Sequence, residues 1–289
     1  MDVAVVIPTR TTGDPWRRRA LEYVVGWYDL HYPRWDLVEG TVADDEPWSK
    51  GAAVRAAVDR TSAEILILAD GDSFLTSPRT LLDAVDMISN GKARWVVPHG
   101  NVYRLRQAET ERLYADPSAR PRLGHLVRAT YEGPPGGGIT VVARSTFDEV
   151  GGIDDRFLGW GGEDVAFGWV LETLVHPTER LGAPLVHLWH PHPAPNLRGS
   201  EESEALVARY TAARGLVRRM RAVVDRVDPI TVEPLPDPVR FRTRTPNRKV
   251  LRLPSGGFVR FHSGTFETTD PDEADALRRH PAITEERKR

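Results

Sequence analysis

Short apolar runs alternate with amphipathic stretches over the first part of the chain. The runs at 3–7, 65–69 and 139–143 predict strands, and the first is typical of a strand buried on both faces of a parallel sheet. Asp14 predicts the cap of a helix that continues through Trp16 to Tyr28, and a second helix is predicted from about Ser49 to Thr61. This alternation predicts an α/β domain with a mixed, mostly parallel sheet flanked by helices. Further strands are predicted at 36–42, 95–98 and 185–189.

The pattern changes after residue 198. Apolar residues three or four apart between Leu206 and Val227 predict one long amphipathic helix. A proline-rich joint follows, and alternating strands then predict a small, basic, β-rich module that ends in a helix capped by Asp270. The predicted organisation is an α/β domain at 1–198, a long helix at 199–228 that packs on or extends it, and the module at 229–289.

Composition narrows the class of protein. A chain of 289 residues with 40% hydrophobic content can bury the core of one large domain with an appendage. A formal net charge of -2 argues against a protein that coats nucleic acid. The absence of cysteine excludes disulfides, thiolate metal sites and a cysteine nucleophile. No secretion-signal pattern and no apolar run of about 20 residues is visible, so the expectation is a soluble, cytoplasmic protein without a membrane span.

Two carboxylates follow the apolar run at 65–69. Asp70 and Asp72 would lie at the carboxyl end of a strand, where parallel α/β sheets bind ligands. Residues i and i+2 of an extended chain point the same way, and Gly71 between them would let a ligand approach the backbone. Two converging acids repel each other, and a divalent cation relieves the repulsion. The alternative is that Asp-Gly-Asp is merely a turn.

A second acidic pair opens a predicted helix in the stretch "GWGGED". Gly161 and Gly162 form a tight turn, and Glu163 and Asp164 then begin the helix, where negative charge favours the helix dipole. A plain capping cluster has the same appearance. Trp160 is the residue that capping leaves unexplained, because a large aromatic beside paired carboxylates is typical of sugar binding.

Three histidines lie in the stretch "PLVHLWHPHP". Neutral imidazoles of His187, His190 and His192 are suited to a transition metal, although single histidines are more often structural. In a straight strand His187 and His190 would face opposite sides, so both reach one metal only if the chain bends near Trp189. No metalloprotease, GxSxG or Walker pattern is present.

Five stretches together resemble the GT-A-fold glycosyltransferases: "VVIPTR", "WSKGAAV", "ILILADGDSFL", the glycine-rich segment 134–171 and "HLWH". The resemblance is closest to proteins that carry a GWGGED motif. These are the β-1,4-galactosyltransferases, the catalytic domains of polypeptide N-acetylgalactosaminyltransferases and bacterial chondroitin-type polymerases. The resemblance extends in order over roughly residues 1–198 and implies a GT-A fold for them.

The resemblance also implies roles for single residues. Asp72 would bind the metal directly, and Asp70 would contact the donor or reach the metal through water. Asp164 would be the catalytic base, with Glu163 beside it, and Trp160 and Glu163 would hold acceptor or donor sugar. His190 matches a metal ligand of the family, and His187 stands where the galactosyltransferases carry methionine. The implied nucleotide and donor contacts are Pro8, Thr9, Arg10, Asp44 or Asp45 at the nucleobase, Lys50, Asp70, Gly71, Gly137 and Gly138.

The implied reaction transfers a hexosyl or N-acetylhexosaminyl group from a nucleotide-sugar donor, by family likeness a UDP-sugar, to a hydroxyl of a glycan or protein. The implied metal is Mn²⁺, with Mg²⁺ as the alternative. A cation neutralises the leaving diphosphate, and a carboxylate takes the acceptor proton; with Asp164 as base, transfer inverts the anomeric carbon. A retaining transferase, a nucleotidyltransferase and a catalytically idle sugar-nucleotide or acceptor-binding module are the alternatives.

The C-terminal module is rich in basic residues. Between Val239 and Phe266 there is no acid, which indicates either a solvated face or a docking surface for an acidic partner. The stretch 256–277 also resembles small modules of phage-encoded proteins. The basic residues are Arg240, Arg242, Arg244, Arg248, Lys249, Arg252 and Arg260.

Overall fold

The computed structural model describes residues 1–10, 14–43, 47–124, 127–159, 161–175, 178–191, 200–227, 237–244, 250–252 and 258–286. The chain divides into two compact units. One comprises Met1–Gly168 with Thr178–Ala208, and the other Trp169–Pro177 with Arg209–Arg289.

The first unit is built on an eight-stranded mixed sheet. Its strands are β1 (Val3–Pro8), β2 (Asp36–Gly40), β3 (Ile65–Ala69), β4 (Ser73–Leu75), β5 (Trp95–Leu105), β6 (Val127–Glu132), β7 (Ile139–Ala143) and β8 (Glu179–His187). They lie in the order β2-β1-β3-β7-β5-β8-β4, with β6 paired to β5. The pairings make β1, β2, β3, β5 and β8 run in one direction and β4, β6 and β7 in the other. The predicted α/β fold with a mixed sheet, in which most strands run in one direction, is confirmed.

Helices flank this sheet, and two of them begin where the sequence predicts. The Asp14 Oδ1 atom accepts the Trp16 N–H at 2.9 Å, and the Ser49 Oγ atom accepts the Ala52 N–H at 3.3 Å, so both predicted helix starts are confirmed. No helix in the described part of the chain is both long and apolar enough to cross a bilayer. The described helices of the whole chain are α1 (Pro15–His31), α2 (Lys50–Val58), α3 (Arg79–Ser89), α4 (Gln107–Ala115), α5 (Arg144–Glu149), α6 (Glu163–Leu174), α7 (Glu201–Ala213), α8 (Val217–Val224) and α9 (Pro271–Arg278), of which α8 and α9 belong to the second unit.

The centre of the sheet is covered on both faces. Alternate residues of β1 and β3, such as Val5 and Ile67, pack with α1 and α3 in the main apolar core. The residues between them, such as Val6 and Leu66, are also fully buried, and α2 packs against β1 and β2. The predicted burial of β1 on both faces is confirmed, and all of β3 is likewise inside.

Strand boundaries differ from the sequence pattern at three places. β2 ends at Gly40 rather than at residue 42, β5 continues to Leu105, and β8 begins at Glu179 and ends at His187. β5 carries polar residues beyond Pro98 because its outer part pairs with β6, whose side chains are mostly exposed. No element was predicted between residues 101 and 131, where the structure has the end of β5, α4 and the start of β6.

The second unit has its own small core. It contains β9 (Val239–Thr243), β10 (Val250–Arg252), β11 (Phe258–Arg260), β12 (Thr265–Thr268) and β13 (Ile283–Glu286). The strands form a three-stranded sheet, β12-β9-β13, and a β10-β11 pair. Phe241, Leu251 and Leu277 pack together in the core. The Asp270 Oδ1 atom accepts the Asp272 N–H at 2.8 Å at the start of α9, so the predicted strands and capped final helix are confirmed.

The single long helix predicted at 199–228 is wrong, because two helices, α7 and α8, occupy this range. Gly215 between them has a φ of 79°, a value that L side chains rarely adopt. A Cβ atom there would also lie 2.8 Å from the Phe258 backbone nitrogen. Apolar periodicity continues through the break because both helices bury one face.

Of the two alternatives for the basic stretch at 239–266, a docking surface for an acidic partner is not supported. Arg240 pairs with Glu267 at 3.1 Å, Arg242 pairs with Glu286, and the Arg244 Nε atom donates to Thr284. The sheet brings these acceptors from β12 and β13, which supply acids from outside the acid-free stretch. Arg252 and Arg260 are exposed, and Arg248 and Lys249 lie outside the described residues.

Candidate active site

A cavity of about 200 Å³ lies at the carboxyl end of β3. Its floor is the segment 70–73, and the start of α6 and the end of β8 form its walls. Most of the residues singled out from the sequence converge on it. Those lining it are Pro8, Lys50, Asp70, Gly71, Asp72, Gly137, Gly138, Glu163, Asp164, His187 and His190.

The other predicted site residues either do not line the cavity or lie outside the described residues. The Thr9 N–H donates to the Gly40 carbonyl at 2.7 Å, which ties the end of β1 to β2, and Arg10 is exposed. Neither residue lines the cavity. Asp44, Asp45 and Trp160 lie outside the described residues.

One wall of the cavity holds a set of candidate metal ligands. Asp72, His187 and His190 each offer one ligand atom, and these atoms lie within 4.8 Å of one another. The Asp72 Oδ2 atom is 3.2 Å from the His190 Nε2 atom and 3.7 Å from the His187 Nε2 atom. Antiparallel pairing of β4 with β8 places Ser73 opposite His187, and the chain leaves β8 after His187, so both imidazoles reach Asp72.

Hydrogen bonds set the tautomer of both histidines. The Nδ1 atom of His187 is 2.7 Å from the Leu188 carbonyl, and that of His190 is 2.8 Å from the Pro191 carbonyl. Because a carbonyl oxygen only accepts, Nδ1 carries the proton in each neutral ring and the Nε2 lone pair faces Asp72. Burial lowers the pKa of His187, although Asp72 opposes this, and the neutral ring is the ligand form.

This donor set fits a divalent transition metal. Two imidazole lone pairs and a carboxylate oxygen face one another, and a cation between them would satisfy all three. The Ser73 Oγ atom donates to Asp72 Oδ1 at 3.0 Å, which turns Oδ2 toward the imidazoles. Asp70 is not a member of this cluster.

Another part of the cavity lining holds a lysine between two carboxylates. The Lys50 Nζ atom is 2.5 Å from Asp70 Oδ1 and 2.6 Å from Asp164 Oδ1. Burial disfavours the charge on Lys50, but the carboxylates of Asp164, Asp70 and Glu163 hold its pKa well above the usual range.

The carboxyl group of Asp164 titrates near neutral pH. Burial raises its pKa to about 7, with Asp70 and Glu163 adding to the effect and Lys50 opposing it. Glu163 is itself buried, and its Oε2 atom accepts the Gly161 N–H at 3.0 Å. A carboxylate with this pKa can both accept a proton and release it at physiological pH.

Glycines bring β7 and α6 close to these acids. A Cβ atom at Gly137 would lie 2.8 Å from the Asp164 Oδ2 atom, so the room at this position is taken by the acid. Gly138 has a φ of 71°, and its N–H donates to Asp70 Oδ2 at 3.2 Å. A Cβ atom at Gly71 would point at Leu21, 3.1 Å from its Cδ1 atom, and not into the cavity.

We expect Gly136→Ala to destabilise the fold by about 1–3 kcal/mol, the usual cost of overpacking. The added Cβ atom would lie 2.1 Å from the Asp164 carbonyl oxygen and 2.6 Å from the Gly168 nitrogen, so backbone must move. Gly26→Ala in α1 is the matched control, because nothing lies within 4 Å of its Cβ position; it should stabilise by about 0.5–1 kcal/mol. Urea unfolding measures both, and equal effects would contradict the close packing of Gly136.

Several cavity residues were not predicted from the sequence. Arg17 and Arg104 supply cationic groups on the side of the metal ligands, and Trp48 and Tyr131 supply aromatic rings. Arg104 lies opposite His187 in the β5-β8 pairing, and its guanidinium stands 5.4 Å from the Tyr131 ring centroid. A signal for Arg17 was present: three arginines follow Trp16 at the start of α1, where the helix dipole disfavours cations. Arg104 had none.

His99 is a further residue that the sequence did not reveal. It is fully buried in β5, and its Nε2 atom is 2.9 Å from the Gly137 carbonyl. Burial lowers its pKa, so it is neutral and donates from Nε2. Its ring therefore supports the glycine segment that packs on Asp164.

Comparison with known families identifies one match. Residues 127–181 match the family described as the N-terminal domain of galactosyltransferase. The matched segment runs from β6 to the start of β8 and includes Gly137, Gly138, Glu163 and Asp164. The resemblance to galactosyltransferases drawn from the motifs is confirmed over this segment. No curated protein matches the sequence.

Solved structures of similar backbone include three from different organisms. The catalytic domain of Drosophila beta1,4galactosyltransferase 7 in complex with xylobiose has 12% identity and a TM-score of 0.43, covering 72% of this chain and 80% of that one. Mycobacterium tuberculosis glucosyl-3-phosphoglycerate synthase has 14% identity and a TM-score of 0.43, and the match covers 74% of this chain and 79% of that one. S. aureus TarS 1-349 in complex with UDP-GlcNAc has 10% identity and a TM-score of 0.45, and the match covers 78% of this chain and 70% of that one.

Proposed function

We propose that this chain is a metal-dependent glycosyltransferase. It moves a sugar from a nucleoside-diphosphate donor, with UDP favoured, to a hydroxyl group of a glycan or protein acceptor. Asp164 is the base, and the anomeric carbon is inverted. The observation that carries this proposal is that one cavity holds both a donor set for a divalent cation and a carboxylate whose pKa lies near neutrality.

The part of the cavity lined by Asp72, His187 and His190 suits the leaving group. A nucleoside diphosphate builds negative charge as it departs, and a metal held by Asp72, His187 and His190 would supply the charge that stabilises it. Arg17 and Arg104 line the same side. In the described part of the chain Arg104 forms no ion pair, and its Nε atom is 3.3 Å from the Tyr131 hydroxyl. We assign both arginines to the diphosphate.

The part of the cavity lined by Glu163 and Asp164 suits the acceptor. An acceptor hydroxyl is a weak nucleophile until a carboxylate takes its proton. Asp164 takes that proton as the hydroxyl oxygen bonds to the anomeric carbon, and the bond from that carbon to the diphosphate oxygen breaks. Glu163 lies beside Asp164 at the start of α6, where an acceptor sugar would meet both carboxylates.

Donor binding tests this proposal directly. Thermal-shift and calorimetric measurements with UDP-, GDP-, dTDP- and CMP-sugars are made with and without Mn²⁺, and repeated with Mg²⁺. We expect one donor class, that of UDP, to bind only when metal is present. Metal-independent binding of every nucleotide, or no binding by folded protein, would contradict a metal-dependent transferase and favour a catalytically idle module.

A further inference from the structure

Lys50 contacts both Asp70, which the resemblance assigns to the sugar donor, and Asp164, the proposed base. Its Nζ atom touches Asp70 at the end of β3 and Asp164 at the start of α6. Because both Oδ1 atoms touch one nitrogen, they lie at most about 5 Å apart, a separation at which like charges disfavour each other. Without the ammonium, Asp70, Glu163 and Asp164 would form an uncompensated acidic cluster.

Helix stability does not explain a lysine at this position. Lys50 is the first residue of α2, where the helix dipole disfavours a cation. Its side chain is only 14% exposed, so it is not an ordinary solvated surface charge. The ammonium group instead neutralises the two carboxylates that it contacts, those of Asp70 and Asp164.

Two hydrogen bonds fix the start of α2 against the loop that leads into α6. The Ser49 Oγ atom donates to the Asp155 carbonyl at 2.8 Å, and the Gly159 N–H donates to the Trp48 carbonyl at 2.9 Å. A Cβ atom at Gly51 would lie 2.6 Å from the Ile153 carbonyl oxygen, which shows how closely the two segments pack. The base of the Lys50 side chain is therefore held in place by the segment that precedes Asp164.

The contact with Lys50 also distinguishes the two oxygens of the base. Oδ1 of Asp164 accepts from Lys50, whereas Oδ2 accepts no hydrogen bond from any described residue and lies beside Gly137. An ammonium bonded to Oδ1 leaves the Oδ2 lone pairs for a substrate proton.

We propose that Lys50 is a positioning residue whose ammonium group fixes Asp164 relative to Asp70 and presents Asp164 Oδ2 to the acceptor hydroxyl. This inference rests on the proposed function, because it assigns the geometry of the same base. It differs from a role as a donor ligand, in which Lys50 would bind the diphosphate and leave Asp164 unaffected.

The test separates turnover from donor binding. Lys50→Met removes the charge at nearly the same length, Lys50→Arg keeps the charge in another shape, and Lys92→Met is the matched control at an exposed lysine. The affinity for UDP with Mn²⁺ is measured by calorimetry, and kcat and KM are measured with the donor that binds in the panel. Thermal unfolding checks that each variant is folded.

We expect Lys50→Met to lower kcat by about a hundredfold or more, the lower range for losing a positioned base, and to leave the affinity for UDP with Mn²⁺ within about threefold. Lys50→Arg should recover part of kcat, and Lys92→Met should match the wild type. If Lys50→Met does not fold, Lys50→Arg carries the same comparison, with kcat reduced and affinity kept.

Two results would overturn the inference. A loss of affinity for UDP with Mn²⁺ that parallels the loss of kcat makes Lys50 a donor ligand, and an unchanged kcat removes any role for it. Wild-type protein that turns over no donor contradicts the proposed function itself. That outcome is distinct because it appears before any variant is compared.

Discussion

Asp164→Asn is expected to lower the rate of sugar transfer by about a hundredfold or more while metal-dependent donor binding is retained. The amide cannot take a proton from the acceptor, but it keeps the shape of the carboxylate and can still accept from Lys50. Lys50 also keeps Asp70 as a partner at 2.5 Å, so the site should stay assembled. Transfer is measured by release of the nucleoside diphosphate in the presence of acceptor, and donor affinity by calorimetry.

The matched control is Asp29→Asn, because Asp29 is exposed on α1 and outside the cavity. It should leave both rate and affinity unchanged. Normal transfer by Asp164→Asn would show that another group takes the proton. Loss of donor binding together with transfer would instead place Asp164 on the donor.

The pH dependence of the wild-type protein follows from the same carboxylate. Burial raises the pKa of Asp164 to about 7, so the base is protonated and inactive below that pH and free above it. A plot of kcat/KM against pH reports the free enzyme and should rise through about pH 7 and then level off. A rise centred near pH 4, where an ordinary aspartate titrates, would contradict this environment.

Removal of the metal, or of one of its ligands, is the second change with a large expected effect. Treatment with EDTA should abolish donor binding, and Mn²⁺ should restore it. Asp72→Ala and His190→Ala should each weaken Mn²⁺ affinity by more than about a hundredfold, since even the outer-shell partners of metal ligands are worth ~10–100-fold. Calorimetric titration with Mn²⁺ measures this affinity directly.

His262→Ala is the control, because that imidazole is exposed in the second unit. Thermal unfolding in EDTA separates loss of a ligand from loss of the fold, because variants that lack only a ligand should unfold like the wild type without metal. Unchanged Mn²⁺ affinity in Asp72→Ala would exclude the Asp72, His187 and His190 cluster as the metal site.

The amino-acid sequence by itself determined the elements that depend on local chemistry. A five-residue aliphatic run with polar residues at both ends is typical of a buried strand, so β3 and the acids at its end were predictable. Capping side chains act within three residues, so the starts of α1 and α2 were predictable from Asp14 and Ser49. Most residues of the candidate cavity were therefore visible as motifs before their arrangement was known.

Local sequence patterns failed where the structure depends on a contact distant along the chain or on an unusual backbone conformation. The break at Gly215 depends on a positive φ that hydrophobic periodicity does not register. The basic stretch of the second unit had no acid of its own, but its pairing with β12 and β13 brought Glu267 and Glu286 to its arginines.

Only the tertiary structure decided how the site is assembled. Pairing of β4 with β8 brought Asp72 to His187, which stands far along the chain, and the exit from β8 then brought in His190. Packing of α2 on the loop before α6 placed Lys50 between Asp70 and Asp164. Ion pairs and ligand sets join segments distant in sequence, so their partners are chosen by strand register and helix packing, which no local stretch of residues contains.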